Sequence, residues 1–85
     1  MGKYRIEVKQ SAAKELGKIP KKELTRILDK ISSLSDAPRP EGSIKLTGQE
    51  KYRLRIGKYR VLYSIEDDIL TVYVVKVAHR KDVYR

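Results

Sequence analysis

Cysteine is absent from this 85-residue chain, so disulfides and thiolate metal sites are excluded and stability must come from packing. Long apolar runs are also missing. The opening segment MGKYRIEVKQ has no apolar signal core, and no segment approaches the roughly 18 apolar residues of a transmembrane helix. A soluble, cytoplasmic protein with no membrane role is expected. A chain of this length buries only about 60–65% of the surface its unfolded form exposes. Residues 1–85 are therefore expected to form one domain with a small core, and any active site lies on the surface or in a shallow groove.

Acidic residues are few. Asp and Glu number 11 against 20 Lys and Arg, a formal net charge of +9. A polyanion such as nucleic acid, or a strongly acidic protein, is the natural partner for such a chain. The imbalance is also local. In residues 1–43 the bases are interspersed with Glu7, Glu15, Glu23, Asp29, Asp36 and Glu41. Residues 51–60 hold Lys51, Arg53, Arg55, Lys58 and Arg60 with no acid at all.

The alternation in KYRIEV puts Tyr4, Ile6 and Val8 on one face and predicts a half-buried strand. Ser11 is a candidate N-cap for a short helix whose apolar positions are Ala12, Leu16 and Ile19. Pro20 ends that helix and can serve as the first residue of a second, antiparallel one, with Leu24, Ile27, Leu28, Ile31 and Leu34 as its apolar stripe. SDAPRPEGS reads as a loop. Beyond it YRLRI, YRVLYSI and ILTVYVVKV are strand-like, and GK and EDD separate them at hairpin lengths. The expected fold is α+β, β-α-α-β-β-β along the chain. Two antiparallel helices pack on one face of a twisted, mainly antiparallel four-stranded sheet, with the first strand joining its edge or middle. No repeats, linkers or low-complexity segments interrupt it.

Within YRLRIGKYRVLY, strand alternation sends Tyr52, Leu54 and Ile56 toward the helices and Arg53 and Arg55 to the opposite face. The next strand offers Val61, Tyr63 and Ile65 to the core and leaves Arg60, Leu62 and Ser64 outside. A hairpin then brings Arg60 close to Arg53 and Arg55. Three guanidinium groups on one open face make an anion site, each permanently charged and able to grip a phosphate through two parallel hydrogen bonds. The plainer alternative is a solvated face whose charges discourage edge pairing. Like charges on neighbouring strands repel, however, so the arrangement costs stability unless a ligand offsets it.

The C-terminal VAHRKDVYR adds the single histidine, His79, together with Arg80 and Tyr84. Each has an ordinary surface or packing reading. With the arginine row they supply a titratable group, another cation and a stacking platform, the parts needed to hold and cut RNA. No metal-ligand constellation accompanies them, so such chemistry is expected to need neither metal nor cofactor.

AAKELGKIP, KLTG, YRLRIGKYRVLYSI and VYVVKVAHRKDVYR, in that order, closely resemble the RelE/ParE superfamily of toxin–antitoxin toxins, on its RelE side, over nearly the whole chain. The resemblance implies a RelE-like fold. It also implies an mRNA interferase that enters the ribosomal A site and cuts the codon there by metal-free attack of a ribose 2′-OH, leaving a 2′,3′-cyclic phosphate and a 5′-OH. The implied partners are the ribosome, through its A site and ribosomal RNA, mRNA and a cognate RelB-like antitoxin that neutralises the toxin. By position, Arg60 falls on an arginine that stabilises the transition-state phosphate, Arg80 on one that assists the leaving oxygen, and Tyr84 on a base-stacking tyrosine. Arg53 and Arg55 replace lysines assigned to phosphate binding and 2′-OH activation, and Lys51, Lys58 and Lys81 extend the phosphate-binding set. Arginine does not give up its proton in proteins, so Arg55 is a poor general base. His79, Glu41 and Glu50 are the remaining candidates for proton transfer, the alternative being a pentavalent phosphate stabilised so strongly that little base catalysis is required. The same superfamily leaves two other functions open: a ParE-like inhibitor of DNA gyrase without nuclease activity, or an inactive RNA-binding relic.

Overall fold

The structure is a computed structural model and describes residues 3–79. Strand β1 (Arg5–Val8) leads into helix α1 (Gln10–Leu16) and helix α2 (Lys21–Ser33). Four further strands follow: β2 (Ser43–Lys45), β3 (Tyr52–Ile56), β4 (Tyr59–Glu66) and β5 (Thr71–His79). They form one sheet in the order β1-β5-β4-β3-β2. The three pairings among β2, β3, β4 and β5 are antiparallel, while β1 runs parallel to β5. The α+β class is as expected, and of the two places left open for the first strand, edge or middle, it takes the edge. The sheet has five strands, not four, because the segment after Gly42 pairs its three residues with β3. So short an edge strand has no readable alternation and exists only through its partner.

Helix starts also differ from expectation. α1 begins at Gln10 with Lys9 as its N-cap, so Ser11 lies inside the first turn, and no side chain caps the helix. Pro20 is the N-cap of α2, not its first residue: its ψ of 143° is extended, and its carbonyl accepts the Leu24 N–H at 2.8 Å. The fixed proline φ suits either position, so ψ decides, and the chain here is still turning out of α1.

The core is a single cluster between the helices and one sheet face. Ala12 and Leu16 of α1 and Ile27, Ile31 and Leu34 of α2 and its C-cap meet Leu54, Ile56, Val61, Tyr63, Val72, Val74 and Val77. Tyr52, Ile65, Ile19 and Leu24 pack at its margin. Leu28, read as part of the buried stripe, is 44% exposed. It lies on the flank of the helix, about 100° round from Ile27, where no strand covers it. In β5 the buried positions shift phase, from Val72 and Val74 to Val77. Tyr63 pairs with Val74 and Leu62 with Lys76, which leaves Val75 as the extra residue of a β-bulge.

Beyond Val74, β5 outruns β1, and α1 covers the strand instead. The Glu15 carboxylate accepts the Val77 N–H at 2.8 Å through Oε1, and the Lys76 ammonium at 3.2 Å through Oε2. Tyr63 is completely buried, and its hydroxyl donates to the Pro38 carbonyl at 2.8 Å. That bond ties the α2–β2 loop to the sheet, and burial pushes the Tyr63 phenol above its ordinary pKa. Tyr52 stacks on the same ring at a centroid distance of 5.8 Å. Tyr52 also accepts from Arg39 Nε at 3.0 Å, and Arg39 in turn grips Asp67 with Nη2–Oδ2 at 2.8 Å. The Tyr4 hydroxyl donates to Asp67 at 2.7 Å. Hydrogen bonds from Arg39 and Tyr4 hold the Asp67 carboxyl below its usual range.

Two stability changes should follow. Replacing Tyr63 with Phe leaves the Pro38 carbonyl without its buried donor and should lower unfolding free energy by about 1–3 kcal/mol; an unchanged denaturant midpoint would contradict that role. For Asp67 the folded pKa is depressed, so its contribution is present above the unfolded value near 3.8 and fades as pH falls through the folded value. Asp67→Asn should therefore melt below wild type at neutral pH, and the two melting temperatures should converge as the pH drops below about 4. A gap that stays constant from neutral to acid pH would show that the carboxylate charge is not what matters.

Candidate functional site

The β3–β4 hairpin turns on two residues, Gly57 and Lys58, with Ile56 paired to Tyr59. Gly57 has φ +60° and is the only one of the two with positive φ, the pattern of a type II′ turn that demands glycine at its first central position. This turn sets the register that makes Arg55 and Arg60 directly opposed cross-strand neighbours, with Arg53 opposite Leu62. Leu54 and Val61, also directly paired, are buried on the other side. The arginines therefore stand on the sheet face that the helices leave open.

The notch where β2 ends beside β3 widens into a groove of about 560 Å³. Arg53, Arg55 and Arg60 line it together with Lys30 of α2, Glu41 and Ile44. Arg55 is exposed and its Nε reaches the Gly57 carbonyl at 3.5 Å; Arg53 and Arg60 are half-buried. Their aliphatic stems pack as hydrocarbon. Two directly opposed arginines repel, and a bound phosphate would relieve that repulsion. Gly42, at φ +96°, turns the chain from Glu41 into β2 and so brings Glu41 to the rim.

The remaining candidates divide by position. Lys58 sits exposed at the hairpin tip and Lys51 half-buried just before β3; neither lines the groove. Glu50 is an exposed partner of Lys45 at 3.7 Å, away from the arginines. His79 pairs across the ladder with Tyr59, and the rings meet edge-on at 5.4 Å between centroids. Because Val61 and its partner Val77 face the core, His79, two residues further on, lies on the helix side of the sheet. There it borders a second cleft, of about 350 Å³, with Glu15, Lys18 and Ile19. The structure thus does not bring His79 together with the arginines. Arg80, Lys81 and Tyr84 lie outside the described residues.

Lys30 and Ile44 were missed by the sequence reading. Lys30 looked like one more solvated helix charge, and Ile44 fell between the SDAPRPEGS loop and the next expected strand, in neither. The paired carboxylates, Glu41 and Glu50, were indistinguishable until the fold put one in the groove and the other in a surface ion pair.

Comparisons with known proteins agree with this geometry. Residues 6–84 match the family model described as ParE toxin of type II toxin-antitoxin system, parDE. The toxin RelG of Mycobacterium tuberculosis is 31% identical over 84 residues, a match that covers 96% of this chain and 97% of RelG. The crystal structure of the archaeal RelE–RelB complex from Pyrococcus horikoshii superposes with a TM-score of 0.81 at 28% identity, covering 95% of this chain and 99% of that one. The isolated RelE toxin of E. coli superposes with a TM-score of 0.79 at 25% identity over 89% of this chain and 83% of its own. No helix among the described residues is long and apolar enough to cross a membrane. A hairpin that lines up arginines on an open sheet, on this fold and with these relatives, is that of a RelE-like toxin: the chain belongs to the RelE/ParE superfamily of toxins of type II toxin–antitoxin systems.

Proposed function

We propose that the protein is a ribosome-dependent endoribonuclease that cuts mRNA in the A site, acts in the cytoplasm where translation takes place, and is neutralised by a RelB-like antitoxin. The observation that carries this reading is the direct opposition of Arg55 and Arg60 in a groove that also holds Arg53. Such a clamp suits a phosphodiester whose charge increases in the transition state, because preorganised cations stabilise that charge without reorganising. The antitoxin assignment rests on the relatives whose structures are complexes of RelE with RelB.

In the proposed reaction the ribose 2′-oxygen forms a bond to the adjacent phosphorus as the bond from phosphorus to the 5′-oxygen breaks. The products are a 2′,3′-cyclic phosphate and a 5′-hydroxyl. One proton leaves the 2′-OH and one reaches the departing oxygen. Arg55 and Arg60 hold the pentavalent phosphate but, as guanidinium groups, do not take the first proton. Glu41 is the carboxylate of the groove lining, and we assign it that role in preference to His79. Arg80 and Tyr84 keep the roles that the resemblance implies, leaving-group assistance and base stacking, with Lys51, Lys58 and Lys81 as outlying phosphate contacts.

The matching family model is that of ParE toxins, which keeps a second reading in view: inhibition of DNA gyrase with no RNA cleavage. Primer extension on a defined mRNA, with and without programmed ribosomes, separates the two. Cuts confined to the A-site codon and dependent on ribosomes are expected. Well-folded protein that makes no cuts but blocks supercoiling would favour gyrase inhibition. In the same assay Arg60→Ala should slow cleavage by roughly 10²–10³-fold with its melting temperature retained, because Arg60 lies outside the core. Glu41→Gln should slow it by about 10²-fold without weakening RNA binding; wild-type rates in that variant would remove Glu41 from the mechanism.

A further inference from the structure

Strand β2 gives one side chain to the open sheet face, and that side chain is apolar. Ile44 pairs directly with Arg53, so the two stand on the same face, whereas Ser43 and Lys45 pair with Leu54 and Tyr52 on the helix side. Ile44 is 51% exposed and lines the groove with Arg53, Arg55 and Arg60. A charged residue is the ordinary choice at such a place on an edge strand, because it discourages unwanted pairing, and a lysine there would have joined the cations already present. The isoleucine instead leaves apolar surface open to water beside a row of guanidinium groups.

The spacing of the face matches a nucleotide. In the proposed reaction the phosphate being cut lies between Arg55 and Arg60. Arg53 is two residues from Arg55 along β3, about 6.8 Å, the scale of one sugar–phosphate repeat, so the neighbouring phosphate falls at Arg53. Ile44 stands one strand further out, its Cβ about 5 Å from that of Arg53 in a cross-strand pair, the scale that separates a phosphate from its own base. β2 ends the sheet, so no strand among the described residues flanks Ile44 on its outer side, and a planar base has room to lie over it. A protein partner fits less well. Protein interfaces centre on a contiguous apolar core, whereas Ile44 is a single apolar spot among Lys30, Arg53 and Arg55, and the next apolar residue of that face, Leu62, lies beyond Arg53 on β4. A single RNA strand calls for that mixture, cations along the backbone and a packing surface for the base.

We propose that Ile44 is a shelf for a base of the message next to the cut, and that it selects that base by size. With no donor or acceptor of its own, the side chain favours a purine, whose larger face covers more apolar surface. The contact is additional to the stacking that the resemblance implies for Tyr84, and it rests on the ribosome-dependent nuclease reading above.

The test is a double-mutant cycle on a short end-labelled message held on programmed ribosomes, with the base at each position of the A-site codon removed in turn to leave an abasic nucleotide. Below saturation Ile44→Ser should cut the intact message roughly three- to tenfold more slowly, and that loss should vanish when one particular base is already missing. At that position the wild type should cut a purine message faster than a pyrimidine one, and Ile44→Ser should not distinguish them. Ile44→Leu, which restores the apolar surface, should stay close to wild type. An equal loss from Ile44→Ser on every message, abasic ones included, would show that Ile44 only packs the Arg53 stem and would overturn the proposal. A wild-type rate in Ile44→Ser, no purine preference in the wild type, or an Ile44→Leu protein as slow as Ile44→Ser would overturn it too. Wild-type protein that cuts no ribosome-bound message would bring down the nuclease reading itself, whereas cutting with purely additive losses would bring down only this inference. Ile44 lies outside the core cluster, so each variant should keep the wild-type melting temperature, which separates a lost contact from lost folding.

Discussion

The register of the β3–β4 hairpin is the constraint on which the rest of the molecule depends. A two-residue turn that requires glycine at position 57 pairs Arg55 with Arg60 and Leu54 with Val61. Side chains alternate along a strand, so a slip of one residue would bury the arginines and expose the core at once. The hydrophobic and functional faces are therefore one structural decision. Burial of Leu54, Ile56, Val61 and Tyr63 under the helices is what holds Arg53, Arg55 and Arg60 in a row on the other side.

The hairpin is gripped at its far end as well. Tyr52 and Tyr63 are cross-strand partners there, one held by Arg39 and the other by the Pro38 carbonyl. Asp67, just past β4, joins Arg39 and Tyr4 to the same knot, and Ser35 binds the Tyr4 carbonyl at 2.6 Å. The knot thus connects the N-terminal strand, the α2–β2 loop and both hairpin strands. Its Arg39–Asp67 pair is about half exposed, so solvent screens it and it serves more to fix the loop than to add stability. Packing around the buried Tyr63 ring carries the larger share. A loop fixed in this way can present Glu41 and β2 to the groove at a constant distance from the arginines.

Much of this was legible in the chain. Strand alternation with local turn signals named the buried and exposed faces of β3 and β4 residue by residue, because a hairpin makes register a nearly local property. The helix stripes were equally readable from Leu16, Ile27 and Ile31, with Leu28 the exception. Leu28 is apolar and at an acceptable spacing, and only the width of the sheet beneath α2 leaves it uncovered. Ser11 and Pro20 carried the right chemistry for helix ends, yet α1 starts two residues before a Ser11 cap would put it and α2 one residue after a Pro20 first position would, since caps compete with the path of the loop. β2 left no trace in three residues. The carboxylate of the groove could not be chosen between Glu41 and Glu50, because nothing in a loop sequence says which way it folds back.

The sequence by itself determined the density and sign of charge in residues 51–60, the two-residue turn that opposes Arg55 to Arg60, and the apolar set that buries the reverse face. All of these depend on neighbours close along the chain. Tertiary structure alone decided which distant residues join them. It brought Lys30 and Glu41 into the groove, and it moved His79 away. Uninterrupted alternation from Val72 and Val74 would put residue 79 on the arginine face, but the extra residue at the bulge in β5 flips the strand's remaining side chains. That bulge is set by pairing with β4 and by the way α1 takes over the edge of β5 beyond β1. The α1–β5 contact joins segments more than sixty residues apart, and no local pattern records it.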